Sequence, residues 1–121
     1  MSESEVSREL RKVLEHHGHY AVKIHQTGYN TAGIPDLLCC VRGVMIGIET
    51  KLVYSGRLKY TEHQIHHLNK IRNAGGIGIG VAYHNKQWAL DEKLTGETDH
   101  LVWCSLASLV EIVRSLPIHQ N

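Results

Sequence analysis

The stretch Gly33-Ile34-Pro35-Asp36-Leu37-Leu38-Cys39-Cys40-Val41-Arg42-Gly43-Val44-Met45-Ile46-Gly47-Ile48-Glu49-Thr50-Lys51 decides how this chain is read. Two apolar runs, 36–41 and 44–51, flank Arg42-Gly43, which predicts a β-hairpin. Arg-Gly is a weaker turn pair than Asn-Gly, so a longer loop stays open. With a two-residue turn, Val41 faces Val44, Cys40 faces Met45, and the register runs out to Asp36 facing Glu49. Side chains alternate across a sheet. Asp36, Glu49 and Lys51 then share one face. The other face carries Leu37, Cys39, Val41, Val44, Ile46 and Ile48 and is wholly apolar. A core on the apolar side pins the strands and forces the two carboxylates together.

That arrangement is unfavourable by itself. Like charges directly opposite each other destabilise a sheet, and two carboxylates in one site resist double ionisation, which raises one pKa. A divalent cation removes both problems. Magnesium takes oxygen ligands, often one or two carboxylates with waters and a substrate phosphate. Such an ion activates water, polarises a phosphoryl oxygen and stabilises a leaving oxygen. Lys51 adds a positive charge suited to orienting water and stabilising charge that develops during reaction. Spacing alone also fits a hairpin end that carries Asp, Glu and Lys as exposed or ion-paired residues.

Outward from the hairpin, Val6, Leu10, Val13 and Leu14 recur at helical spacing and predict a first helix over 3–17. Ser2 and Glu5 fit a capping box and Gly18 fits the stop. A strand is expected over 20–25 and a loop over 26–35. After a polar loop over 53–59, a second helix is expected over 61–73, with Thr61 and Gln64 as its capping box. The β-branched, Gly-rich run 77–83 reads as a buried strand. A short strand over 87–90 follows a turn at Asn85-Lys86. An exposed loop over 91–99, a last strand over 100–104 and a third helix over 106–116, capped by Ser105 and closed by Pro117, complete the chain. The order predicts an α/β fold, a mixed sheet with helices packed on it.

Gly33-Ile34-Pro35-Asp36, a hydrophobic stretch, and Ile48-Glu49-Thr50-Lys51 together resemble the PD-(D/E)xK nuclease signature. More narrowly, the chain resembles the VRR-NUC group, the virus-type replication-repair nucleases. The resemblance runs over about residues 5–83 and includes Glu5, Gly18, Gly56 and Gln64. It implies a restriction-endonuclease-like mixed β-sheet flanked by α-helices, with residues 1–121 as one VRR-NUC-like domain. It implies a Mg2+- or Mn2+-dependent endodeoxyribonuclease that leaves 5′-phosphate and 3′-hydroxyl ends. Asp36, Glu49 and the Thr50 carbonyl would be metal ligands, Lys51 the catalytic lysine, and Glu5 and Gln64 supporting site residues. Local capping accounts for Glu5 and Gln64 equally well. The small size and stand-alone relatives suggest a homodimer acting on branched DNA such as Holliday junctions, in phage-type replication, recombination or repair. The rival readings are a DNA-binding module that kept the fold without catalysis, and a flap or restriction nuclease.

Composition sets the outer limits. The 121 residues are 42% hydrophobic and 21% charged, in line with a single folded core. No apolar run approaches the roughly 20 residues of a membrane span. The polar, acidic N-terminus argues against a secretory signal, so a cytoplasmic location is expected (the host cell's, if the protein is viral). Cys39, Cys40 and Cys104 form no Cys-x-x-Cys pair and read as buried reduced thiols. Net charge is only +1, but 51–72 holds five Lys/Arg against one Glu, which predicts a basic face. Lys23, His25, Arg57, Lys59, Lys70 and Arg72 are phosphate-contact candidates. Tyr54 and Tyr60 are candidates for stacking on unpaired bases. His63 and His67 have zinc-protease spacing, but Gln64 stands where a general base is needed and cannot take a proton.

Overall fold

A computed structural model describes residues 1–25 and 32–117. The hairpin forms as the alternation requires. Arg42 and Gly43 both take positive φ, 53° and 77°, the mirror-image turn whose twist matches its strands. It joins β2 (Leu37–Val41) to β3 (Val44–Leu52), with register running from Val41↔Val44 to Leu37↔Ile48. The apolar face is buried as expected, Leu37 and Ile48 completely, except at Val44 beside the turn, which is half-buried.

The remaining elements are α1 (Glu3–His16), β1 (Tyr20–Lys23), α2 (Glu62–Asn73), β4 (Ile77–His84), β5 (Gln87–Asp91) and α3 (Leu106–Arg114). The strand order is β1-β2-β3-β4-β5. Among the described residues only β3 and β4 pair in parallel, because α2 carries the chain back between them. Asn85 and Lys86 form the second tight turn, again with positive φ.

Helices α1 and α3 cover one face of the sheet. Val6, Leu10 and Leu14 of α1 and Leu109, Val110 and Val113 of α3 enclose the main core with Ile46, Ile79 and Val81. The opposite face is different in kind. Along β4 it presents Gly78, Gly80 and Ala82, and these small residues let other elements lie directly on the backbone. A Cβ at Gly78 would collide with the Leu68 carbonyl of α2, and one at Gly80 with the Tyr60 hydroxyl. A second, smaller core of Leu58, Ala82, Ala89 and Leu101 closes this side.

Several expectations are corrected. Residues 100–104 do not form a strand. They touch β5 at one bridge, Trp88↔Cys104, because Leu101 turns into the second core while Val102 is exposed. Asp91 does not open an exposed loop; it ends β5 and is fully buried. Cys40 is exposed, while burial pushes the Cys39 thiol up to about 12. Arg72 is engaged by carbonyls rather than free for phosphate, donating to Gly78 and Glu92 at 2.8 and 2.6 Å. Most of the expected 26–35 loop lies outside the described residues.

Candidate active site

β2 begins one residue after Asp36, whereas its partner β3 continues to Leu52. The far end of β3 therefore has an open edge whose N–H groups lack a strand to pair with, and such groups need partners. Two carboxylates supply them. Asp36 Oδ2 accepts from the Thr50 N–H at 2.9 Å and from the Thr50 hydroxyl at 2.8 Å. Glu3, from the first turn of α1, accepts from the Leu52 N–H at 3.3 Å. In an extended strand a residue's N–H and C=O point to the same edge, so the Thr50 carbonyl is directed to the Asp36 side.

Glu49, one residue before Thr50 on β3, is 3% exposed. Its Oε1 accepts from Gln64 Nε2 at 2.9 Å, and its Oε2 is buried with no hydrogen-bond donor among the described residues. Burial first, then the Asp36 charge beside it, push the Glu49 carboxyl up to about 9, with Lys51 acting in the opposite sense. Lys51 is itself 6% exposed, and its Nζ sits 5.6 Å from the centre of the Tyr60 ring. The expected trio of Asp36, Glu49 and Lys51 is thus assembled on one side of the sheet.

Gln64 makes two contacts, one within its helix cap and one to Glu49. Its side-chain oxygen accepts from the Thr61 N–H at 2.9 Å, completing the capping box, while its nitrogen holds Glu49. Glu5 does not reach the site. It is exposed and paired with Ser2 in the α1 capping box, and those hydrogen bonds hold its carboxyl below the usual range. Glu3, two residues earlier, is the α1 acid that faces β3. Glu5→Ala is accordingly expected to lower the thermal midpoint slightly and leave any cleavage rate intact, whereas Glu3→Ala slows cleavage; parallel melting and nicking assays check both.

The other candidates are dispersed. Lys23 pairs with Leu37 and so lies on the α1 side, away from Glu49. His25 is exposed two residues beyond β1, and Lys70 is exposed further along α2. Arg57 and Lys59 line a cleft of about 620 Å³ with Tyr60, His66 and Asn69. Lys59 also rests 5.9 Å from the exposed Tyr54 ring. Tyr60 is not presented for stacking on a base. Its hydroxyl donates to Asp91 at 2.7 Å, and burial followed by the Asp91 charge raises its pKa, so it stays a donor.

No ready-made cluster of three or more His, Cys, Asp or Glu exists among the described residues. Two carboxylates, one with a buried unpartnered oxygen, nonetheless fit a hard ion that keeps most of its waters. The donor set is all oxygen, which excludes a zinc-type nitrogen and sulfur site here.

A family model for archaeal Holliday junction resolvases (Hjc) matches residues 2–102. The chain belongs to this family. Among solved structures, it is similar to the Holliday junction resolvase Hjc of Archaeoglobus fulgidus, at 16% identity and a TM-score of 0.61, over 88% of this chain and 98% of that one. It is also similar to a VRR_NUC domain, at 20% identity and a TM-score of 0.56, over 93% of this chain and 95% of that one. No curated protein sequence matches. The five-stranded mixed sheet with three helices is therefore the nuclease fold expected from the hairpin motif, and membership of the resolvase family makes the chain a structure-selective nuclease. Among the described residues, no helix is long and apolar enough to cross a membrane.

Proposed function

We propose that this chain is a Mg2+- or Mn2+-dependent endonuclease that cuts branched DNA, the four-way junction above all, in the cytoplasm. The observation that carries the metal reading is the buried Oε2 of Glu49, which has no donor among the described residues and lies beside the Asp36 carboxyl. A buried carboxylate oxygen without a donor is costly, and a cation offsets that cost. Asp36, Glu49 and the Thr50 carbonyl would hold the ion, with Glu3 at its margin. A bound divalent ion supplies Lewis acidity toward the scissile phosphate and makes water a better nucleophile at neutral pH.

The protein's own contribution is placement. Thr50 fixes Asp36 through two hydrogen bonds, and Gln64 fixes Glu49. Lys51 sets a positive charge on the same face, where it orients water and stabilises negative charge building on the phosphoryl oxygens. Arg57 and Lys59 offer phosphate contacts beside it. A homodimer would bring two such sites to one junction.

The test is a panel of linear, flap and four-way-junction DNA incubated with magnesium, manganese or chelator. The expected result is metal-dependent nicking concentrated on the junction. Asp36→Ala and Lys51→Ala should each lower the rate by about 10³-fold, in the range that follows loss of a charge-stabilising group, while junction binding persists. Equal cutting of linear duplex would overturn the junction preference. Binding without cutting in every metal would leave only the non-catalytic reading. A monomeric mass under cleaving conditions would remove the dimer.

A further inference from the structure

The site face of the sheet is organised in cross-strand rows. Glu49 pairs with Gly80, and Gly80 with Asp91. The next row is Lys51, Ala82 and Ala89. The absent side chain at Gly80 leaves a recess between two acids, and the Tyr60 hydroxyl fills it. From there it donates to Asp91 Oδ2 at 2.7 Å. Asp91 is itself held firmly. Its Oδ1 accepts from the Lys93 and Leu94 N–H groups at 3.2 and 3.1 Å and lies 2.9 Å from His100 Nε2. These contacts satisfy a carboxylate with no solvent exposure.

The other end of this chain of contacts is Lys51. Among the described residues Lys51 forms no ion pair, although it is 6% exposed. A lysine ammonium is a compact charge on a flexible four-carbon stem, so something must hold it. The Tyr60 ring is in place to do so, since an ammonium within about 6 Å of an aromatic centroid is attracted to its face. Donation of the phenol proton to a buried carboxylate is a charge-assisted bond, stronger than a neutral one, and it fixes the ring's position.

We infer that Tyr60, anchored in the Gly80 recess by Asp91 and His100, is the positioning residue for the Lys51 ammonium. This rests on the nuclease reading only for its effect on cleavage; the placement itself does not. Tyr60 holds the ammonium toward the row carrying Glu49. Asp91 and His100 act on the reaction through Tyr60, from one strand further away.

The experiment compares Tyr60→Phe, which keeps the ring and loses the anchor, with Tyr60→Leu, which loses the ring, and with Asp91→Asn. Single-turnover cutting of saturating junction DNA in magnesium is expected to fall about tenfold in Tyr60→Phe and Asp91→Asn and about 100-fold in Tyr60→Leu, the scale of a misplaced catalytic group. Junction affinity in chelator should stay within about twofold of wild type, because positioning acts on the reaction and not on binding. In a Lys51→Ala background, Tyr60→Leu should cost nothing further, since coupled residues are not additive. A second readout needs no activity. Carbon–proton correlation spectra of the wild-type chain should show the Lys51 ε-methylene displaced upfield by the Tyr60 ring, returning to the ordinary lysine position in Tyr60→Leu. An undisplaced Lys51 signal in the wild type overturns the inference even if no substrate is cut. So does full-rate cutting by Tyr60→Leu, or additivity with Lys51→Ala. Wild-type protein that cuts nothing, yet shows the displaced signal, would sink the nuclease reading and leave the positioning intact.

Discussion

Glu49→Gln is expected to abolish cleavage and, at the same time, to raise the thermal midpoint of the metal-free protein by about 5 °C at neutral pH, the shift that a kcal/mol or so produces in a domain of this size. The loss of cleavage follows from removing a charged group from the proposed metal site. The gain in stability follows from the pKa. In the folded, metal-free chain the Glu49 carboxyl titrates at about 9, against an ordinary value of 4.5. Below about pH 4.5 the group is protonated in both states and folding carries no penalty from it. As pH rises from there the unfolded chain ionises first, so stability is lost progressively until the folded group also ionises near 9. The substituted side chain has no proton to exchange. Its carbonyl still accepts from Gln64, and its amide can donate to Asp36. The advantage of Glu49→Gln should therefore shrink toward pH 4 and grow toward pH 9. Magnesium should reverse the order, stabilising the wild type and not the variant, because the proposed ion site needs the charged carboxylate and a ligand that binds only the folded chain stabilises it. Melting curves across pH, with magnesium and with chelator, check this. A midpoint equal to or below wild type at pH 8 in chelator would contradict the picture of a strained acidic pair.

Gly78→Ala should destabilise the fold by about 3 kcal/mol, at the upper end of the usual cost of overpacking, and bring the midpoint down by roughly 15 °C. A methyl group at this position meets the Leu68 carbonyl and Cα of α2, not the end of a flexible side chain. Backbone in mid-helix cannot swing aside, so α2 as a whole must lift from β4. Leu68 is fully buried and anchors that helix. The same helix carries Gln64, so a lifted α2 also loosens the hold on Glu49. Denaturant unfolding should show a lower midpoint with unchanged slope, the sign of lost stability without a change in compactness. A loss under about 0.5 kcal/mol, the scatter of ordinary surface changes, would show that α2 packs more loosely than the geometry states.

The parts of this molecule legible in the sequence are those written in local pattern. Alternation in 36–51 gave the correct hairpin register, and the pairs Ser2/Glu5 and Thr61/Gln64 marked two helix starts correctly. The parts that were missed depend on where strands end relative to one another. Nothing local distinguishes Glu3 from Glu5 as the acid that reaches β3, because the relevant fact is that β3 outruns β2. Asp91 reads as one more acid before a polar loop until Gly80 is seen to place it in a row with Glu49. Tyr60, between Lys59 and Thr61 in a basic segment, looks like a nucleic-acid contact, and only the recess over Gly80 shows its hydroxyl turned inward. Residues 100–104 have strand-like composition but meet β5 at a single bridge.

Asp36 closes a gap in the hydrogen bonding of the sheet whether or not an ion is present. Its rotamer is already chosen and its conformational entropy already lost when the chain folds, so capturing a cation there would require no further ordering of that carboxylate. Affinity at this position is then governed by how much charge and water must be rearranged. A change that removes one of the two bonds holding Asp36 while leaving its carboxylate in place, such as Thr50→Val, keeps the backbone donor but loosens the carboxyl, and would weaken any ion capture through that added freedom.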